Sequence, residues 1–356
     1  MTIQELQRRY GRSPQCGALA QQLSKDTKHV FLQGLSASAA SLLFAALATR
    51  EPATILFILP DNDEAGYFYH DLTQVMGQDD VLFHPSSYRR AVKYGQRDAA
   101  NEILRTEVLT RLSTVAEGAK EVKRPTYVVT FPEALAELVV SKHKLDERTL
   151  SLKVGQVIDI TDVVAQLREL GFHFQEYVYE PGQFALRGSI IDVYSYNSEY
   201  PYRIDFFGDE IDTIRTFDIQ SQLSREKKTQ VEVVPQLAYT QEKTPFTDFL
   251  PKDTVIATKD LAYVYDVIGK VYEEGFSQQA ATERLEGVTE AERAAVMEQL
   301  NRDCQLVKPS TFIGGLEGLR RIDFGNKPLG TLNATIKFDI SPQPIFHKNF
   351  DLLRDT

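Results

Sequence analysis

The chain has 356 residues, of which 42% are hydrophobic and 25% are charged. This composition is typical of a soluble globular protein and argues against a disordered chain. Lys and Arg number 40 against 50 Asp and Glu, and the resulting net charge of −10 excludes a general electrostatic attraction to nucleic acid.

The cysteines and the apolar runs indicate a cytoplasmic protein. Cys16 and Cys304 lie far apart and lack metal-ligand spacing, which argues against a disulfide framework and against a zinc site. The first ten residues contain no apolar run of the kind found in signal peptides. The run Ala37–Ala48 is far shorter than the ~20 apolar residues that a membrane span needs. We therefore predict no membrane association.

The first third alternates strands with helices. Thr54–Leu59 is apolar throughout and is followed by Pro60, which is typical of a strand buried on both faces. Further strands are predicted at Val30–Gln33, Val81–Phe83 and Tyr127–Thr130. Helices are predicted at Ser36–Thr49, Glu64–Met76, Asp98–Leu112 and Glu133–Val140. This alternation predicts a parallel sheet covered by helices.

The middle of the chain, from about Leu152 to Pro235, is richer in strands and turns. Turn signals occur at Pro181-Gly182, Gly188, Asn197-Ser198 and Gly208-Asp209. One helix is predicted at Asp162–Leu170, ended by Gly171. The segment therefore predicts a small mixed domain with an antiparallel sheet.

The last third returns to the pattern of the first. It predicts strands at Val255–Ala257 and Ala334–Asp339, and helices at Ala262–Arg284, broken near Gly275, and at Thr289–Asn301. We therefore expect an α/β body in two segments, residues 1–147 and 238–356, with a small domain inserted at 148–237. Leu352–Thr356 carries no terminating signal, so the sequence is compatible with a piece of a longer protein.

The turn after the first strand resembles a phosphate-binding loop that has lost its chemistry. With Gly34 aligned to the first glycine of Gly-x4-Gly-Lys-Ser/Thr, the second glycine, the lysine and the hydroxyl residue fall on Ala39, Ala40 and Ser41. Ala40 cannot supply the charge that reaches the β- and γ-phosphates. No Walker-B run follows an apolar strand, and Asp61 after Pro60 is a poor candidate. An ordinary strand–turn–helix explains the same residues, and on either interpretation we predict no ATP hydrolysis.

Tyr202–Phe217 predicts a hairpin whose outward face is unusual. Gly208-Asp209 separates two strand-like runs, and strand alternation puts Tyr202, Ile204 and Phe206 on the core face. Arg203, Asp205 and Phe207 then share the other face. Arginine beside an aromatic ring is typical of an interface hot spot, although a single exposed Phe is also common on ordinary surfaces.

The preceding segment adds a second arginine. In Glu180–Tyr194, which we interpret as a strand, Arg187 interrupts an apolar stretch and precedes Gly188. A glycine inside a strand suggests a bulge or the close approach of another backbone. If this strand lies beside Tyr202–Phe207, Arg187, Arg203 and Phe207 form one patch suited to carboxylates on a partner protein. A surface arginine on a two-layer sheet remains the alternative.

Two other function classes have weaker support. Arg89, Arg90 and Lys93 form a small basic cluster beside Tyr88 and Tyr94, which suggests either a DNA contact or an ordinary solvated surface. The six histidines are scattered, and none has a candidate nucleophile beside it in sequence. We assign no catalytic residue, no metal site and no cofactor.

The two middle segments carry a family resemblance. Glu180–Val193 and Pro201–Asp218 resemble the transcription-repair coupling factors, and Pro85–Gln96 resembles them more weakly. The related damage-verification helicase UvrB has similar segments, but its phosphate loop is intact and it carries a long Tyr-rich hairpin that is not seen here. Both departures favour the coupling factors.

The resemblance implies both fold and function. It implies a degenerate, helicase-like body in two parts around an inserted domain that binds UvrA in transcription-coupled nucleotide excision repair. The family's binding residues map onto Arg187, Arg203 and Phe207, with Asp205 as a weaker addition. A full-length member would also bind RNA polymerase and double-stranded DNA and would be an ATP-driven translocase. The alternative is an active or DNA-binding module like UvrB.

Overall fold

A computed structural model describes residues 2–36, 38–87, 98–116, 124–237, 240–274, 289 and 306–340. The described helices are α1 (Ile3–Gly11), α2 (Pro14–Ser24), α3 (Ala39–Ala48), α4 (Asn62–Met76), α5 (Ala99–Ala116), α6 (Pro132–Leu135), α7 (Lys142–Glu147), α8 (Ile160–Glu169), α9 (Leu261–Glu274) and α10 (Pro309–Leu316). A 3-10 helix spans Phe246–Phe249.

The strands fall into a set from the two ends of the chain and a set from its middle. They are β1 (His29–Gln33), β2 (Thr54–Ile58), β3 (Val81–His84), β4 (Thr126–Thr130), β5 (Val139–Val140), β6 (Leu150–Lys153), β7 (His173–Phe174), β8 (Gln183–Arg187), β9 (Ile190–Val193), β10 (Tyr202–Phe207), β11 (Glu210–Phe217), β12 (Ser224–Lys228), β13 (Gln230–Val233), β14 (Lys243–Thr244), β15 (Val255–Thr258), β16 (Arg320–Asp323) and β17 (Ala334–Lys337).

The body is built on a seven-stranded sheet in the order β17-β1-β16-β15-β2-β4-β3. Every pairing in it is parallel. All five residues of β2 are buried, as expected for a parallel strand with helices on both sides. Because β1–β4 precede the middle segment and β15–β17 follow it, the sheet is completed by strands from both ends of the chain.

Two apolar clusters pack on the body sheet. Phe44 of α3, Phe57 of β2 and Phe68 of α4 belong to one cluster, with ring centroids of Phe44 and Phe57 4.8 Å apart. The other cluster gathers side chains from α5, α9 and α10, including Leu109, Ile268 and Phe312. The sheet therefore lies between two packed layers, which is the expected α/β architecture.

The middle segment forms a separate six-stranded sheet in the order β12-β11-β10-β9-β8-β7. Only β7 and β8 pair in parallel in this sheet; the other neighbours are antiparallel. Helix α8 and the β6–β13 pair cover one face, and their apolar side chains join a core with those of β8–β11. Gly171 follows α8 with φ +91°, as a helix-ending glycine does.

The predicted α/β class, with a parallel body and an inserted antiparallel sheet domain, is confirmed. The exact limits 1–147, 148–237 and 238–356 stay predictions. The helix predicted at Glu133–Val140 is wrong: α6 ends at Leu135, and Val139–Val140 pairs instead with β14. Among the elements that the sequence patterns did not predict are α1, α2, α7, α10 and β16.

Some predictions fall on parts of the chain that the structure does not describe. These are the basic cluster with Arg89, Arg90 and Lys93, the Gly275 break and the helix at Thr289–Asn301 beyond its first residue. Among the described residues, no helix is both long and apolar enough to cross a membrane.

Candidate partner-binding face

The turn that resembles a phosphate loop is used for packing. Gly34 has φ +82°, and a Cβ atom at this position would lie 2.5 Å from the carbonyl oxygen of Phe338, just beyond β17. A residue with a side chain would meet both the left-handed backbone and that carbonyl. The close approach of Phe338 therefore explains why a glycine stands at position 34, and a bound phosphate is not needed to explain it.

The residues at the other motif positions are half-buried or buried in the body. Ala39 begins α3, and Ala40 is 2% exposed in the apolar core. Ser41 is also 2% exposed, and its hydroxyl donates to Oδ2 of Asp71 at 3.3 Å. Asp61, the poor Walker-B candidate, caps α4 by accepting the backbone N–H of Glu64 at 2.8 Å. The Asp71 carboxylate lies next to Ser41, and Ala40 stands at the lysine position of the motif, so this turn is a poor environment for phosphate.

The hairpin of β10 and β11 has the predicted two faces. Tyr202, Ile204 and Phe206 are at most 8% exposed and belong to the small domain's core. Phe207 is 84% exposed, although it is a large apolar side chain at the end of the strand. Gly208-Asp209 forms the predicted two-residue turn, with φ +62° at Gly208. Phe207 therefore points away from the core on the face that strand alternation predicts for Arg203.

The segment predicted as one strand, Glu180–Tyr194, is instead a hairpin of β8 and β9. Gly188 has φ +61° in the turn, and a Cβ atom there would meet nothing within 4 Å. The expected bulge or close backbone approach at Gly188 is therefore wrong. Strand β9 lies between β8 and β10, with Asp192 opposite both Arg203 and Ala185.

Asp192 joins the two predicted arginines. Its side chain is 1% exposed, and its two oxygens accept from Arg203 Nε at 2.7 Å and Arg203 Nη2 at 2.9 Å. Arg187 Nη2 donates to the same carboxylate. Two guanidinium groups thus share one buried carboxylate, and the structure does bring Arg187 and Arg203 together.

Arg203 is held on several sides. Its Nη1 and Nη2 donate to the backbone and side-chain oxygens of Gln222, both at 3.2 Å. The guanidinium carbon lies 4.3 Å from the centre of the Phe217 ring. Hydrogen bonding to Asp192 raises the pKa of Arg203 further above its ordinary value. Since only 15% of its side chain is exposed, most of this arginine is already engaged within the domain.

Arg187 is more available. Its side chain is 34% exposed, and its guanidinium lies 5.0 Å from the centre of the Tyr177 ring. Its Nη1 is buried and has no hydrogen-bond partner in the part of the chain that the structure describes. Arg187 therefore carries one buried donor without a described partner, while part of its side chain reaches solvent.

Asp205 lies on the same face but in a different pair. It accepts from the hydroxyl of Thr213 at 2.9 Å and from Arg215. Arg203 and Asp205 are thus each bonded to residues of a neighbouring strand, Arg203 to Asp192 of β9 and Asp205 to Thr213 and Arg215 of β11. We call Arg187, Asp192, Arg203, Asp205, Phe207 and Arg215 the arginine–phenylalanine face.

Sequence reasoning missed three residues of this region. Asp192 was visible as a single carboxylate inside the apolar run Ile190–Val193, and this was the available signal. Arg215 became relevant only through the strand register. Val157 is 76% exposed and forms an antiparallel backbone bridge with Glu210. Glu210 lies opposite Phe207 in the hairpin, so Val157 extends the exposed apolar surface beyond Phe207.

Comparison with known proteins points to the same part of the chain. Residues 150–239 match the family model of the UvrB interaction domain, and this match contains the whole arginine–phenylalanine face. The chain is 27% identical over 240 residues to the transcription-repair-coupling factor of Escherichia coli (strain K12), covering 66% of this chain and 20% of that protein. The chain is similar to the transcription-repair-coupling factors.

Two further relatives carry the same name. The factor of Bacillus subtilis (strain 168) is 29% identical over 213 residues, covering 60% of this chain and 17% of the relative. That of Staphylococcus aureus (strain bovine RF122 / ET3-1) is 25% identical over 268 residues, covering 72% and 22%. The chain spans about one fifth of the length of these curated relatives. The resemblance to the coupling factors, predicted from the two middle segments, is confirmed.

Proposed function

We propose that the chain is the adaptor region of a transcription-coupled nucleotide excision repair factor. In this proposal, the arginine–phenylalanine face binds UvrA, and UvrA brings the repair proteins to a stalled RNA polymerase. The observation that carries the proposal is the Phe207 ring, 84% exposed at the end of the strand that carries Arg203, within the residues that match the UvrB interaction domain. A ring and guanidinium groups on one sheet face have the composition of a protein-binding hot spot.

The proposal involves contact without catalysis in this part of the protein. Ala40 supplies no charge to a phosphate, and the Ser41 hydroxyl is bonded to Asp71. We therefore propose that this chain does not hydrolyse ATP. We propose that RNA polymerase binding, double-stranded DNA binding and ATP-driven translocation belong to other regions of a full-length, cytoplasmic protein.

Purified UvrA and the 356-residue chain test the proposal directly. We expect saturable binding, and we expect Phe207→Ala to weaken it by about 30-fold, because truncating an aromatic hot spot typically costs about 2 kcal/mol or more. Tyr67→Ala is the matched control, since Tyr67 is an aromatic residue of α4 in the body and is 76% exposed. Equal affinities of the two variants would remove the assignment of the face.

A nucleotide titration of the same protein forms the second arm. We expect no saturable ATP binding at micromolar concentrations, because the lysine of the motif is replaced by Ala40. Saturable binding that Ser41→Ala weakens would instead favour an active nucleotide site.

A further inference from the structure

The arrangement of the arginine–phenylalanine face distinguishes the roles of its two predicted arginines. A guanidinium has five N–H donors. Arg203 uses Nε once, Nη1 once and Nη2 twice, all toward Asp192 and Gln222. Arg187 uses Nη2 toward Asp192, while its Nη1 is buried and has no partner among the described residues. Arg187 is also more exposed, 34% against 15% for Arg203.

The charges of the face set the chemistry of its partner. Arg187 and Arg203 carry two positive charges, and Asp192 supplies one negative charge between them. Arg215 and Asp205 are already paired with each other. One positive charge is therefore uncompensated in the cluster of Arg187, Asp192 and Arg203, and Arg187 is the more exposed of its two arginines. A single carboxylate matches both the charge and the donor geometry of a guanidinium.

We propose that Asp192 is a positioning residue that aims Arg187 at one carboxylate of the partner protein, and that Arg203 acts through Asp192. The inference rests on the proposed function, since it describes how the same face holds its partner. Asp192 is 1% exposed and therefore does not itself reach a partner. Its two oxygens hold two guanidinium groups on different strands. Because Arg187 is already held in the free protein, it loses less conformational entropy on binding.

A double-mutant cycle on UvrA affinity tests the proposal with the 356-residue chain. We expect Asp192→Asn to weaken binding on the order of tenfold, within the range of couplings between contacting residues. In an Arg187→Ala background the same change is expected to have less than about a twofold effect, because both residues act through one contact. In a Phe207→Ala background the full effect of Asp192→Asn is expected to persist.

A merely structural role for Asp192 predicts a different pattern. Loss of packing would weaken binding by the same factor in both backgrounds, and that result would overturn the proposal. Glu226→Gln is the control, because it neutralises an exposed carboxylate of β12 that pairs with Lys228. Its affinity is expected to match that of the unchanged chain.

Arg203→Lys keeps the test decisive if Asp192→Asn does not fold. A lysine retains the charge at Asp192 but cannot form the bidentate pair. We expect it to weaken binding only while Arg187 is present, and an equal loss in the Arg187→Ala background would overturn the role given to Arg203. If Arg187→Ala and Phe207→Ala both bind UvrA like the unchanged chain, the proposed function itself fails. If they lose affinity while Asp192→Asn does not, only the positioning role fails.

Discussion

Replacing Arg203 by alanine tests whether the arginine–phenylalanine face is built on a buried ion pair. The change removes both hydrogen bonds between Arg203 and Asp192 and both bonds to Gln222. Among the described residues, Arg187 is then the remaining side-chain donor to Asp192, which is 1% exposed. Removing one partner of a buried pair typically costs about 3–5 kcal/mol because the other charge stays buried.

The remaining contact reduces the expected cost. Arg187 still donates to Asp192, and the Arg187 side chain reaches solvent. We therefore expect Arg203→Ala to lower the local free energy of unfolding by about 2–3 kcal/mol. Arg187→Ala removes one bond and leaves the bidentate pair with Arg203 intact, so about 1 kcal/mol is expected. Phe207→Ala, at a position with an exposed ring, is expected to change it by about 0.5 kcal/mol or less.

Hydrogen exchange measures this locally, which is appropriate because a chain with two sheets need not unfold in one step. For peptides that contain β9 and β10, Arg203→Ala should accelerate amide exchange by about 30-fold or more in the regime where exchange reports the opening equilibrium. The helices of the body serve as the internal control. Exchange in β9 and β10 as slow as in Phe207→Ala would refute the buried-pair reasoning, even if UvrA binding were lost.

Two further predictions concern the body. Burial, with Glu199 and Asp79 nearby, raises the pKa of Glu107 in α5 to about 7, so the folded state holds a proton that the unfolded state releases near 4.5. The free energy of unfolding should therefore fall as pH rises from about 4.5 to 7. Glu107→Gln should raise the free energy of unfolding by up to about 3 kcal/mol above pH 7 and hardly change it at pH 4.5. Urea titrations at the two pH values measure this difference. Gly34→Ala should lower the melting temperature, because a Cβ atom would lie 2.5 Å from the Phe338 carbonyl oxygen. Gly66→Ala in α4 is the control and should not lower it, because a Cβ atom there would have nothing within 4 Å. Equal melting temperatures of the two variants would contradict the packing role of Gly34.

Local sequence patterns were sufficient for the parts of the fold with strong periodicity. The apolar run at Thr54–Leu59 predicted a strand buried on both faces, and all five residues of β2 are buried. Alternation in Tyr202–Phe207 predicted which side chains leave the core, and the 84% exposure of Phe207 follows that pattern. Both patterns are set by residues within a few positions of each other, so they can be recognised in a single sequence without knowledge of the fold.

Features that depend on distant partners were not predictable in the same way. Strand β16 begins with Arg320-Arg321, and the segment forms a strand because β1 and β15 pair with it on both sides. Val139–Val140 follows a helical turn and is extended because β14, about a hundred residues later, pairs with it. The role of Asp192 likewise depends on the register that places β9 beside β10.

The glycine of the degenerate loop illustrates how far a motif position can be interpreted without its neighbours. Gly34 occupies the first glycine position of a phosphate loop, which suggests a nucleotide site when the sequence is considered alone. In the fold, the left-handed backbone and the Phe338 carbonyl account for the glycine. A glycine at this position is therefore weak support for nucleotide binding, because packing against the segment that follows β17 requires it equally. The positions that discriminate are Ala40, which removes the charge, and Ser41, whose hydroxyl is bonded to Asp71, and both favour an adaptor over an ATPase.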